Sequence, residues 1–107
     1  MRIRKNFDSE LGEDIQLIAK VSDALAHPVR LHLFRYIMGA NREGTPICTG
    51  TLVDEFGYAQ ATISQHMKKL VDSGLVTANK KERFTFYYAN LGLLAKYIDS
   101  TKRFSVQ

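Results

Sequence analysis

Apolar residues fall at Leu11, Ile15, Ile18, Val21 and Leu25, steps of three and four that predict a first helix with a single apolar stripe. Pro28 interrupts the run. Its fixed φ and missing N–H suit the first position of a second helix, with His27 as the cap. That helix carries Leu31, Phe34, Ile37 and Met38 on its stripe, leaves Arg30 and Arg35 off it, and is expected to stop at Gly39 and Asn41. Beyond the loop Gly44-Thr45-Pro46, Thr49 or Thr51 can cap a short third helix that holds Leu52, Val53 and Phe56 and ends at Gly57. A fourth helix is expected from Gln60 to Ser73 on Ile63, Met67, Leu70 and Val71, stopped by Gly74. Two short helices joined by Gly57-Tyr58-Ala59 form the helix-turn-helix pattern, in which a tight turn sets the second helix across the first.

After Gly74 the period changes. Leu75-Val76-Thr77-Ala78 and Arg83-Phe84-Thr85-Phe86-Tyr87-Tyr88 flank the charged Asn79-Lys80-Lys81-Glu82, which predicts a β-hairpin with that tetrapeptide as its turn. Phe84, Phe86 and Tyr88 alternate with Arg83, Thr85 and Tyr87, so one face can pack on the helices while the other looks outward. The aromatic run is accordingly read as packing residues rather than as a platform for single-stranded bases. Leu91, Leu94, Tyr97 and Ile98 predict a last helix, followed by a polar tail Thr101-Lys102-Arg103. The chain is thus mainly α with a small β-hairpin.

Projected at ~100° per residue, the fourth helix separates into two faces. Ile63, Met67, Leu70 and Val71, with His66, span an arc of roughly 140° that can bury against the preceding helices. Ala61, Ser64, Gln65 and Lys68 lie opposite, with Gln60 at the edge near the N-terminus. A solvated helix face is usually dense in Glu and Lys. Amides, hydroxyls and small residues at a helix start are the types that approach base edges in a major groove. Lys68 and Lys69, one turn on, can neutralise phosphates and position the helix without reading sequence. Lys80, Lys81 and Arg83 on the hairpin can reach the DNA backbone or the minor groove.

Composition narrows the class. At 107 residues, with 45% hydrophobic and 24% charged positions, the chain is expected to form one soluble domain spanning 1–107, too short for a two-domain enzyme. The formal charge of +4 mildly favours a polyanionic partner. Between Gln60 and Asn90 five basic residues face two acidic ones, so most of that excess sits on the fourth helix and the hairpin. One cysteine cannot close an intrachain disulfide, which points to a reducing cytoplasm. The start Met1-Arg2-Ile3-Arg4-Lys5-Asn6-Phe7-Asp8 lacks the apolar core of a secretory signal, and Arg30, His32 and Arg35 break the most apolar region, so neither export nor membrane spanning is expected. No nucleophile–base arrangement or glycine-rich phosphate loop has a recognisable spacing, so no catalysis is expected.

Three segments in this order resemble the ArsR/SmtB family of winged helix-turn-helix transcriptional repressors: Leu25-Ala26-His27-Pro28-Val29-Arg30-Leu31, the run Gln60 to Leu70 followed by Ser73-Gly74-Leu75-Val76, and Arg83 with Tyr87-Tyr88. The resemblance covers Leu11 to Ile98. It implies a wing formed by the hairpin and a homodimer whose first and last helices make the interface. That interface is expected within 1–26 and 91–107, on Ile15, Ile18, Val21, Leu91, Leu94, Tyr97 and Ile98. It also implies double-stranded DNA as the partner, on a prokaryotic chromosome, and puts Gln60, Ala61, Ser64 and Gln65 at the groove-reading positions. The full expected DNA-contacting set is Gln60, Ala61, Thr62, Ser64, Gln65, Lys68 and Lys69 on the helix, with Lys80, Lys81 and Arg83 on the wing.

This chain departs from the family pattern in three places. The family usually places a capping Ser before the recognition helix, where this chain has Ala59, which forgoes about 0.5–2 kcal/mol. Many members carry a Cys-x-Cys pair where Cys48-Thr49-Gly50 stands here, and some carry Asp, His and Glu ligands on the last helix, where Asn90 to Phe104 offers Asp99 alone. A tight transition-metal site needs about three or four ligands, so no metal or other cofactor is expected. Any small-molecule effector is left open.

Two other functions fit the residues. One is a winged-helix module that docks protein rather than DNA, and the other is a redox-responsive regulator acting through Cys48 at a helix start. His27 is read as a cap, His32 as a surface or interface residue and His66 as a packing residue, too dispersed for one metal site. Arg30 and Arg35 either bind phosphate or pair with acids of another helix.

Overall fold

An apolar stripe of helical period forms the first helix of the described residues, α1 (Glu10–Leu25). The computed structural model describes residues 10–105; the basic stretch Met1–Asp8, read above for export, lies outside them. Val21 and Ala24 of α1 are buried in the core, with Leu17 and Leu25 packed against it. His27, extended at φ −116°, caps α2 (Pro28–Arg42) by accepting the Val29 N–H at Nδ1, 3.2 Å away, and Pro28 opens the helix as its spacing predicts.

The buried face of α2 differs from the expected stripe. Leu33, Phe34 and Ile37 are buried, whereas Leu31 is 50% exposed. At ~100° per residue Leu33, Phe34 and Ile37 fall within about 100° of one another, with Arg30 inside the arc and Leu31 beyond its edge. The helix also passes through Gly39 and Asn41 to Arg42. It ends only at Glu43 and Gly44, whose φ of 76° is the left-handed conformation that a side chain resists.

Cys48, rather than Thr49 or Thr51, is the N-cap of α3 (Thr49–Phe56). Thr51 Oγ1 accepts the Cys48 N–H at 3.4 Å from the third helical position. Gly57, at φ 75°, closes α3 by donating to Val53 O at 2.9 Å. The recognition helix α4 (Gln60–Asp72) starts from Ala59 with no side-chain cap and buries Ile63, Met67 and Leu70. Ser73 secures its end, donating to Leu70 O at 2.7 Å and accepting from the Leu75 N–H at 3.2 Å.

Strands β1 (Val76–Lys81) and β2 (Phe84–Ala89) pair antiparallel from Val76↔Ala89 to Lys81↔Phe84. The turn is therefore Glu82-Arg83, with Glu82 at φ 57°, and Lys80 and Lys81 lie in β1 rather than in a four-residue turn. Of the aromatic run read as packing residues, only Tyr87 turns fully inward. Tyr87 is 6% exposed, while Phe84 and Tyr88 are 45% and 44% exposed. Alternation of period two allows either face to turn inward. Contacts with the loop before α3 decide it: Tyr87 donates its N–H to Ile47 O at 2.9 Å, and Cys48 bridges to Phe86.

Asn90 caps α5 (Leu91–Phe104), accepting the Leu93 N–H at 3.1 Å. Thr101, Lys102 and Arg103 form its last turn rather than a tail. The helix continues because Arg103 is held by a partner: it makes two 2.9 Å bonds to the two carboxylate oxygens of Asp14, which also accepts from Ser100 Oγ at 2.9 Å. Arg103 and Ser100 keep the Asp14 carboxyl below its ordinary value despite the opposing effect of burial. With Ser22 Oγ 3.0 Å from Tyr97 Oη, this polar set fastens α5 along α1, whose Val21 and Ala24 enter the core shared with α2, α3, α4 and the hairpin.

Candidate nucleic-acid interface

The recognition helix presents the face that its projection predicts: Gln60, Ala61, Ser64, Gln65, Lys68 and Lys69 are exposed, and Thr62 is half-buried. Burial of Ile63, Met67 and Leu70 on the other side sets this orientation. Lys68 Nζ lies 3.2 Å from Asp72 Oδ2, but both side chains are well exposed, so the pair is weak and leaves the lysine available to phosphate.

The hairpin stands beside this face. Lys80, Lys81 and Arg83 are exposed, and the Arg83 guanidinium lies 5.4 Å from the centre of the Phe84 ring. Between helix and wing runs a cleft of about 460 Å³. Gln60 and Ser64 line it from α4, Lys80 and Arg83 from the wing, and Cys48 and Thr49 from the start of α3. The structure thus brings four of the expected contact residues, two amide or hydroxyl groups and two cations, around one opening. Ala61, Thr62, Gln65, Lys68, Lys69 and Lys81 are outside its lining.

Sequence reasoning missed Thr49 and Tyr87 as the support of the wing. Their hydroxyls are 3.0 Å apart, across 38 positions of chain, and Tyr87 also lines the cleft. The only local sign is the amphipathic character of tyrosine, which pairs an apolar ring with a hydroxyl that seeks a partner when buried.

Behind the recognition face, His27 and His66, read above as dispersed, meet with ring centres 4.7 Å apart. Arg30 joins them. Its Nε donates to Ala24 O at 2.6 Å and its Nη2 to Asp23 O at 3.3 Å, while Nη1 lies 3.3 Å from His66 Nδ1. Arg30 therefore ties the end of α1 to α4, a role unlike either of those expected for it. Burial first, then the charges of His27 and Arg30, push the His66 pKa below its ordinary value.

Cys48 is half-buried, with Sγ 3.3 Å from Thr51 Oγ1. Hydrogen bonds from Thr51, first its hydroxyl and then its backbone, lower the thiol pKa. Thr49 and Gly50 beside it offer no second thiolate, and among the described residues no three His, Cys, Asp or Glu side chains converge as a metal site requires. The donor set does not fit a thiolate-bound metal. No helix among the described residues is long and apolar enough to cross a membrane.

Among the described residues, five helices with a two-stranded antiparallel wing, set around a helix-turn-helix, define a winged helix-turn-helix protein. Residues 25–78 match the model of a helix-turn-helix domain family. An uncharacterized HTH-type transcriptional regulator of Methanocaldococcus jannaschii is 30% identical over 76 residues, covering 71% of this chain and 81% of that one. The arsenical resistance operon repressor of Staphylococcus aureus is 37% identical over 54 residues, covering 50% of this chain and 52% of that one. Among solved structures, an ArsR-like transcriptional regulator from Rhodococcus sp. RHA1 superposes with a TM-score of 0.72 at 21% identity, over 84% of this chain and 80% of that one. The chain belongs to the ArsR/SmtB family of winged helix-turn-helix transcriptional regulators, which are not enzymes.

Proposed function

We propose that the protein is a repressor that binds an inverted repeat in double-stranded DNA as a homodimer. The observation that carries this reading is the cleft in which Gln60 and Ser64 of α4 face Lys80 and Arg83 of the wing. In this reading Gln60, Ala61, Thr62, Ser64 and Gln65 enter the major groove. Lys68, Lys69, Lys80, Lys81 and Arg83 hold phosphates on either side.

Dimerisation is supported by the apolar surface left on the α1–α5 pair. Leu91 is 60% and Ile98 46% exposed, and Ile15, Ile18, Leu94 and Tyr97 are half-buried. Val21 is fully buried within its own chain and has no surface to offer a partner. A two-fold axis through this pair would set two recognition helices about 34 Å apart, the spacing of successive major grooves.

Selection of bound duplexes from random DNA, followed by titration against salt, tests the reading. A recovered palindrome and an affinity that falls steeply with log salt are expected. Absence of affinity in low salt, or a partner found only among proteins, overturns it. Light scattering at micromolar concentration gives the oligomeric state, and a monomer removes the two-fold operator.

A second reading is favoured by the position of Cys48 in the cleft, beside the residues assigned to DNA. An oxidised thiol there adds bulk and charge where phosphate would lie, and its lowered pKa increases the reactive thiolate. Oxidation that weakens DNA binding by the native chain but not by Cys48→Ser supports redox control; an equal response in both removes it.

A further inference from the structure

On the outer side of α2, where the end of α3 meets it, lies a groove of about 470 Å³ that shares no lining residue with the cleft. Its volume is that of a small-molecule site. Tyr36 and Phe56 form its aromatic wall, edge to face with ring centres 5.6 Å apart at 89°. Gly39 leaves the middle bare. A Cβ there would meet no atom within 4 Å, so packing does not demand glycine inside this helix, where glycine weakens the structure.

The ends of the groove differ in charge. Arg35 and His32, one turn apart on α2, are exposed at one end, and among the described residues neither has a hydrogen-bond or ion-pair partner. Glu43 stands at the other, about 12 Å further along the helix. One carboxylate is therefore welcomed beside Arg35, and a second anion at the far end meets Glu43.

We propose that this groove binds a planar aromatic monocarboxylate, its ring against Tyr36 and Phe56 over Gly39 and its carboxylate on Arg35 with His32 beside it. Phe56 is the last residue of α3 and precedes the Gly57 turn into the recognition helix, so an occupant bears directly on the helix-turn-helix. Control of DNA binding from this groove rests on the preceding proposal; occupancy of the groove does not.

Titration of ¹⁵N-labelled protein with cinnamate, followed by amide shifts, tests occupancy without DNA. Saturable shifts centred on residues 32–45 and 56, and reaching into the Gly57 turn, are expected. Cinnamamide, which lacks the charge, should bind about tenfold more weakly, and Arg35→Gln should weaken cinnamate similarly. Gly39→Leu places a side chain in the open groove and favours the helix; it should abolish binding while the thermal midpoint holds or rises. Shifts scattered over the surface, equal binding of the amide, or undiminished binding in both variants overturns the proposal. At saturation, cinnamate should change the affinity for the selected duplex about fivefold or more. An unchanged affinity overturns the control of DNA binding. A protein that binds cinnamate here but no duplex overturns the DNA-binding reading and leaves the groove assigned.

Discussion

Arg30 of α2 points its Nη1 at His66 Nδ1 of the recognition helix, 3.3 Å away, while its other nitrogens hold the last carbonyls of α1. Arginine has only donors, so this contact is a hydrogen bond only if Nδ1 is unprotonated, and a proton on His66 sets two cations side by side. Burial first, then the neighbouring His27 and Arg30, hold His66 neutral below its ordinary pKa of 6.5 in the folded chain. The unfolded chain takes up the proton first as pH falls, so this group's stabilisation is complete above 6.5 and is lost below it. The thermal midpoint is expected to fall between pH 7 and pH 5, and to fall less in His66→Gln, which keeps an acceptor without the titration. An equal fall in the two proteins, followed by circular dichroism, would show that His66 is not the source.

The recognition helix begins without a side-chain cap, although Ala59 already has the extended backbone of a capping residue, φ −61° and ψ 152°. Ala59→Ser supplies an oxygen for the free N–H groups of the first turn. A gain of about 0.5–2 kcal/mol is expected. For a domain of this size that raises the melting temperature by several degrees. A midpoint that stays the same or drops would show that Tyr58 or the turn resists the cap.

Tyr87 anchors the wing to the start of α3 through its hydroxyl, 3.0 Å from Thr49 Oγ1. Tyr87→Phe removes that bond and should cost about 1 kcal/mol of stability. The double variant with Thr49→Ala should show less than the sum of the two single losses, because both single changes break one bond. Strict additivity in chemical denaturation would mean that the two hydroxyls do not interact.

The proposed DNA contacts divide by kind. Gln65→Ala should relax preference at a single base pair, at about 1–3 kcal/mol, and leave binding to unrelated duplexes unchanged. Lys80→Ala should weaken binding to all duplexes alike and reduce the slope of log affinity against log salt by about one. Titrations on the selected site and on scrambled DNA distinguish the two. Identical behaviour of the two variants would remove the division between reading and positioning.

Most of the architecture was legible along the chain because its signals are local. The cap and proline at His27 and Pro28, the left-handed stop at Gly57 and the two faces of α4 each depend on residues within a turn or two, and each stands in the structure where the pattern predicted it. Errors fell where local rules leave a choice. Gly39 has the composition of a helix end, but the left-handed turn falls at Gly44. Arg30 is charged, yet it sits on the core-facing side of α2 because the carbonyls of α1 and the ring of His66 satisfy it.

What the sequence by itself determined was the order of the elements, the polar and mostly uncharged outer face of α4, the surplus of positive charge on helix and wing, and the lack of a second thiolate beside Cys48. Only the tertiary structure decided which face of β2 turns inward, that His27 meets His66, and that Gln60, Ser64, Lys80 and Arg83 share one cleft. Periodicity records which side of an element is apolar, since burial acts on each side chain separately. It carries no record of which distant group will stand opposite, and a bond such as Tyr87 to Thr49 exists only once the intervening chain has folded.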